Sequence, residues 1–269
     1  MKPSFEPVPE PEVTHEVDLS LFVPCFNEET RVVATIRTIE AAMSELGCSY
    51  EIIVVDDGST DNTFQVVSEY AKSSPEVPLR LHNNPYNLGL ARTFVDTAFR
   101  GRGEYYRLVC GDNVEPKDAI TTICRNMGKA DIIVPYHPSL PGKSNFRRIV
   151  SRAYTILVNV ISGYSLQYYN GCALYRRFHV MRWAPYTYGF GFQADLISRL
   201  LDEGLTYFEV PVNVSHVTKD EGGSPLNFRN FVSIGHTLFE IFLRRMRRVI
   251  YGSRFPSATK VDDKSFNSR

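Results

Sequence analysis

Glu51-Ile52-Ile53-Val54-Val55-Asp56-Asp57-Gly58-Ser59-Thr60-Asp61-Asn62-Thr63 is an apolar run that stops at two adjacent carboxylates and a glycine turn. Ile52 to Val55 is β-branched and unbroken, the pattern of a strand buried on both faces of a parallel sheet. Asp56 and Asp57 then fall at its carboxyl end, where open α/β sheets bind ligands. Gly58 can turn the chain, and Ser59, Thr60 or Asp61 can cap a helix opening near Asn62. One aspartate is expected to serve the turn. A cap needs only one short polar side chain, however, and neighbouring carboxylates repel unless something binds them.

A similar strand and turn lies one βαβ unit upstream, in Leu19-Ser20-Leu21-Phe22-Val23-Pro24-Cys25-Phe26-Asn27-Glu28-Glu29. Downstream, the pattern predicts strands at 19–24, 51–56, 78–82, 105–110 and 131–135, alternating with helices at 28–46, 61–73, 88–100 and 116–127. Such alternation implies an α/β fold: a mostly parallel sheet with right-handed crossovers. A long amphipathic helix follows at 146–162. The chain divides into a leader at 1–18, expected to be disordered, a catalytic domain at 19–226, a basic amphipathic helix at 227–251 and a tail at 252–269, expected to be disordered.

Lysine plus arginine equals aspartate plus glutamate at 30 each, so no basic excess argues for nucleic acid. The five cysteines are an odd number without a CxxC pair or histidine spacing, and read as reduced thiols rather than zinc ligands. No apolar run approaches the roughly 18 residues of a membrane span, and the proline- and acid-rich first 18 residues are unlike a signal peptide. A cytoplasmic protein, peripheral on the membrane face, is the expectation.

Pro24-x-x-Asn27-Glu28 after a first strand, then Val54-Val55-Asp56-Asp57-Gly58-Ser59-x-Asp61, resembles the opening of family-two inverting glycosyltransferases with the GT-A fold. Asn87-Leu88-Gly89-Leu90-Ala91 is similar to that family's Asn-x-Gly-x-Ala element, and Cys110-Gly111-Asp112 stands where its Asp-x-Asp metal motif stands. Phe192-Gln193-Ala194-Asp195-Leu196, with Glu209-Val210-Pro211, resembles its acceptor-side helix and following strand. The likeness runs from about Leu19 to Leu243, and several motifs in register weigh more than any one alone. Within the family it is to the polyprenyl- or dolichyl-phosphate sugar synthases.

The resemblance implies a nucleotide-diphosphate sugar donor, of UDP or GDP type, bound by Pro24, Asn27, Glu28, Asp56, Asp57, Asn87 and Gly89. It implies Mg2+ or Mn2+ on Asp112, with the motif's first aspartate replaced by Cys110. Glu115 can help or merely cap a helix. Asp195 is the candidate base, with a first-turn helix residue as the alternative. A lipid-phosphate acceptor is already ionised and needs cations instead, for which Arg147, Arg148, Lys219 and Ser224 are the candidates. The family's pattern has an arginine before Gly-x-Ser and a lysine after it; here Lys219 precedes and Pro225 follows.

Residues 228–251 carry Arg244, Arg245, Arg247 and Arg248 on an apolar background, which suits a bilayer interface or packing on the core. The function implied is therefore a metal-dependent inverting transfer to a polyprenyl phosphate at a membrane surface. The alternatives are transfer to a soluble hydroxyl with Asp195 as base, and a catalytically silent nucleotide- or partner-binding domain.

Overall fold

Buried β-branched runs become the centre of one sheet. A computed structural model describes residues 15–138, 145–183, 191–213, 228–251 and 258–262. Its strands are β1 (Val17–Cys25), β2 (Tyr50–Asp56), β3 (Leu79–Asn83), β4 (Gly103–Leu108), β5 (Ile132–Tyr136), β6 (Leu174–Arg176) and β7 (Tyr207–Pro211). Its helices are α1 (Val32–Leu46), α2 (Thr63–Ser73), α3 (Leu90–Arg100), α4 (Lys117–Cys124), α5 (Asn145–Ser162), α6 (Arg177–Met181), α7 (Phe192–Asp202) and α8 (Phe228–Ile250).

The strand order is β3-β2-β1-β4-β6-β5-β7. All neighbours run parallel except β6, which is antiparallel to both β4 and β5. Register pairs Cys25 with Asp56 and Phe22 with Leu108, so the carboxyl ends of β1, β2 and β4 finish together. The order reverses between β1 and β4, and a ligand crevice opens at such a switch point.

Alternate residues along β1 divide the core. Leu19, Leu21 and Val23 pack with α1 and α4, whereas Phe22 packs with α3, α7 and Ile241 of α8. α1 buries Val32, Ile36, Ile39 and Met43, a spacing of three and four that keeps one helical face on the sheet. It begins at Val32, later than position 28, because residues 27–29 are drawn into the neighbouring loop.

α8 meets the core, one of its two expected settings, and the tail departs from the disorder expected of it. α8 is anchored through its arginines: Arg244 pairs with Asp195 and Asp202, and Arg248 with Asp202, so two of the four clustered arginines face the core. The tail also returns to the sheet. The Tyr207 N–H donates to the Thr259 carbonyl, the Val261 N–H donates to the Tyr207 carbonyl, and Lys260 pairs with Glu209 at 2.8 Å, so 258–262 cover the outer edge of β7.

Candidate active site

Two loops at the carboxyl ends of β1 and β2 interlock. The Asn27 N–H donates to Ser59 Oγ at 2.9 Å, while Asn27 Oδ1 accepts from the Thr60 N–H at 2.9 Å. The Glu28 N–H donates to Thr63 Oγ1, the Glu29 N–H to Asp61 Oδ2, and Glu29 Oε2 accepts from the Asn62 N–H. Asn27 takes a left-handed φ of 59°, which asparagine tolerates better than most residues. Its side chain therefore ties the two loops together, and its amide oxygen is already occupied.

The adjacent aspartates divide their work. Asp56 Oδ1 accepts from the Ser59 N–H at 2.9 Å, and its Oδ2 has no partner among the described residues. Asp57 is buried, and its hydrogen bonds come from the protein's own segment 84–93. Its Oδ1 accepts from Asn84 Nδ2 at 2.7 Å, the Leu88 N–H at 3.0 Å and Thr93 Oγ1 at 3.3 Å; its Oδ2 accepts from the Gly89 N–H at 2.9 Å. Gly89 thus supplies its N–H to Asp57, and Asn87 stands exposed beside it. Gly58 has φ 77°, and a Cβ there would lie 2.6 Å from the Tyr86 carbonyl carbon, so this crossing of loops admits only glycine.

The β4 turn closes the other side. Pro24 is the last residue but one of β1, and its carbonyl accepts from the Gly111 N–H at 3.3 Å. A Cβ on Gly111 would meet Cys25 Sγ at 2.8 Å. The Gly111 carbonyl accepts from Thr35 Oγ1, and Asp112 Oδ1 accepts from the Val114 N–H at 3.2 Å, leaving Asp112 half-buried at the mouth. Glu115 is ion-paired with Arg107, a fully buried arginine of β4, so it braces the turn from behind. That pair was missed in the sequence, although a charge set between Tyr106 and Leu108 in a strand is a usable signal.

The charge here is negative. Burial and then the carboxylates of Glu28, Asp56, Asp112 and Asp61 push the Cys25 thiol far up, so four acids converge electrostatically on one strand end. Burial, with Asp112 and Asp61 adding to it and Arg31 opposing, raises the Glu28 carboxyl above its usual range. A diphosphate approaching this edge needs a cation.

The residues present fit a hard divalent ion held mainly by its substrate. Among the described residues no group of three or more His, Cys, Asp or Glu side chains converges as a metal site. Asp112 offers one carboxylate oxygen, Glu115 is engaged by Arg107, and the Cys110 thiol is held protonated by its hydrogen bond with Cys172 and by desolvation. One carboxylate plus phosphate oxygens and water suits Mg2+ or Mn2+ and does not suit a thiolate metal.

Two of the acceptor-side candidates, Asp195 and Arg148, have described side chains. Asp195 lies on α7, fully buried, with Oδ1 on Arg244 and Oδ2 lacking a hydrogen-bond partner among the described residues. Arg244 also donates to Ser198 Oγ at 2.7 Å. Arg148 is exposed on α5 and donates to Asn145; Arg147 belongs to the same helix, and its side chain lies outside the described residues, as do Lys219 and Ser224.

Three comparisons with known proteins bear on the chain as a whole. The model of the family described as "Glycosyl transferase family 2" matches residues 20–183. A dolichyl-phosphate beta-glucosyltransferase of Trichomonas vaginalis is 26% identical over 268 residues, covering 88% of this chain and 74% of its own. A dodecaprenyl-phosphate galacturonate synthase of Rhizobium johnstonii is 31% identical over 163 residues, covering 59% of this chain; this chain spans 47% of that protein. Among solved structures, glucosyl-3-phosphoglycerate synthase from Mycobacterium tuberculosis, crystallised with Mn2+, UDP and glucosyl-3-phosphoglycerate, superposes with a TM-score of 0.57 at 19% identity over 86% of this chain and 80% of its own.

Proposed function

Because this chain belongs to glycosyl transferase family 2 and has the GT-A fold, we propose that it moves a sugar from a nucleotide-diphosphate donor to a polyprenyl phosphate, inverting the anomeric carbon. In this reading the acceptor phosphate oxygen attacks the anomeric carbon, and the bond from that carbon to the diphosphate oxygen breaks with its electron pair leaving on the nucleotide.

The donor would sit at the joined ends of β1, β2 and β4, with the free Oδ2 of Asp56 accepting an N–H from the base. Pro24, Asn27 and Gly89 would shape the walls, Asn87 would stand at the rim, and Asp57 would hold segment 84–93 in place. Asp112 would hold the divalent ion. When bound, that ion supplies the positive charge that neutralises the departing diphosphate. Glu28 keeps the edge acidic, which favours the cation over a bare anion.

The observation that carries the acceptor reading is the Arg244–Asp195 pair. With Oδ1 engaged by Arg244 and the side chain 1% exposed, this carboxylate is poorly placed to meet an acceptor hydroxyl, whereas an acceptor phosphate arrives ionised and needs no base. Arg148, exposed on α5, is a described cation that would serve that phosphate, and Arg147, Lys219 and Ser224 complete the proposed set. The names of the Trichomonas and Rhizobium relatives favour the same acceptor class. A second reading, transfer to a soluble hydroxyl, has in its favour the fold shared with the mycobacterial synthase, and it requires Asp195 to act as base.

The test begins with thermal shifts for UDP-, GDP-, dTDP- and CMP-sugars, with and without Mn2+, on wild type and Asp112→Ala. A donor at 100 times its Kd stabilises by about 2.7 kcal/mol, and that shift should require the metal and Asp112. Transfer to polyprenyl phosphate and to hydroxyl acceptors is then compared in Asp195→Asn. A drop within about tenfold supports the phosphate reading, and a loss of roughly 100-fold or more assigns Asp195 as base. Absence of any donor-dependent shift would defeat both readings.

A further inference from the structure

Eighteen large apolar side chains are exposed among the described residues, and twelve of them are on α5 or α8. Scatter over a soluble surface does not produce that concentration; a shared docking face does. On α8, Val232, Phe239, Phe242, Met246 and Val249 are exposed at spacings of three, four and seven, which is one stripe of the helix. Thr237, Ile241, Arg244 and Arg248 form the opposite, inward face. The roll of the helix is pinned, because Arg244 and Arg248 are tied to Asp195 and Asp202 of α7 and cannot turn outward without breaking those pairs. On α5, Ile149, Ile156, Leu157 and Val160 are exposed while Thr155, Val158 and Ser162 are buried. The two helices pack on each other, and each keeps an apolar stripe exposed.

Charge decides the occupant. α5 and α8 together contain eight arginines and one carboxylate, Glu240, in a chain whose formal net charge is zero. Arg148 and Arg152 lie along one margin of the α5 stripe, and Arg245 and Arg247 lie on the two margins of the α8 stripe; all four are exposed. Glu240 sits beside His236 at 3.9 Å. A second copy of the chain would bring arginine margins against arginine margins. An anionic lipid surface accepts both features, apolar stripes in the acyl boundary and guanidinium groups at the headgroups.

We infer that α5 and α8 form a two-helix face that seats the protein on an anionic bilayer, with half of the late arginine cluster used for lipid and half for holding α8 in its roll. The inference deepens the polyprenyl-phosphate reading and rests on it only for the purpose such seating serves. No described helix is long and apolar enough to cross a membrane, so the contact is interfacial.

The test is flotation of the full chain with phosphatidylcholine vesicles and with mixed phosphatidylcholine–phosphatidylglycerol vesicles, both free of polyprenyl phosphate and donor. Failure of the acceptor assignment therefore leaves the result unchanged. Wild type should float with the anionic vesicles. Arg245→Gln/Arg247→Gln should weaken partitioning by about 25-fold, roughly fivefold per arginine, with unchanged thermal unfolding. Ile149→Glu/Ile156→Glu on α5 and Phe239→Glu/Val249→Glu on α8 should each abolish flotation. Wild type that stays unbound, or variants that float like wild type, would overturn the inference. So would a concentration-dependent dimer, seen by sedimentation and lost in Phe239→Glu/Val249→Glu, without vesicle binding; that result would assign the face to a second copy.

Discussion

Replacing Arg244 with methionine keeps most of the aliphatic stem and removes the guanidinium that Asp195 depends on. The Asp195 side chain is 1% exposed, and its only side-chain hydrogen bond among the described residues is to Arg244, whose other contacts are Ser198 Oγ at 2.7 Å and Asp202 Oδ2 at 3.3 Å. Breaking one side of a buried pair leaves an uncompensated charge and costs about 3–5 kcal/mol. For a chain of this length each kcal/mol moves Tm by roughly 2 °C, so the expected fall is about 6–10 °C. Asp195→Asn/Arg244→Met removes both charges and should recover at least about 2 kcal/mol of that loss, or about 4 °C. Thermal unfolding followed by circular dichroism near neutral pH reads all three proteins. An Arg244→Met protein within about 2 °C of wild type would refute the reasoning. So would a double variant no more stable than the single one, because the penalty would then come from something other than the stranded carboxylate.

Three further outcomes are expected. Asp57→Ala removes four accepted hydrogen bonds and strands the N–H groups of Leu88 and Gly89; it should cost about 2–4 kcal/mol in urea unfolding and weaken donor binding through segment 84–93. Gly58→Ala places a Cβ 2.6 Å from the Tyr86 backbone at φ 77° and should cost at least about 2 kcal/mol, read in the same denaturant experiment. Glu28→Gln should stabilise the metal-free protein at neutral pH. Burial and the neighbouring acids raise this carboxyl in the folded state, so the folded protein holds the proton to higher pH than the unfolded chain. Stability therefore falls as pH rises through the window above the ordinary glutamate range, and the penalty is complete beyond it. The gain from the substitution should accordingly vanish at acid pH, and a pH-independent difference would show that the gain has another source.

Much of the fold was legible because its signals are local. An unbroken β-branched run followed by Asp56-Asp57-Gly58 announces a strand end, and the three-and-four spacing of Ile36, Ile39 and Met43 announces a helix face. The expected boundaries of the first helix were less accurate. Residues 27–29 are held by Ser59, Asp61 and Thr63, which lie more than 30 positions away in the chain. The tail at 258–262 pairs with β7 through backbone groups that leave no trace in side-chain pattern.

By itself, the sequence determined the α/β class, the strand ends where the acidic residues gather and the family to which the chain belongs, since each depends on residue types at short spacing. Only the tertiary structure decided which carboxylates are available. Asp57 and Asp195 look as suited to a ligand as Asp56 and Asp112 until Asn84, Gly89 and Arg244 are brought against them from 27, 32 and 49 residues away. The structure likewise turned two arginines of α8 inward and packed that helix against α5. A carboxylate's chemistry is set by what surrounds it, and those surroundings come from chain segments that sequence spacing does not bring together.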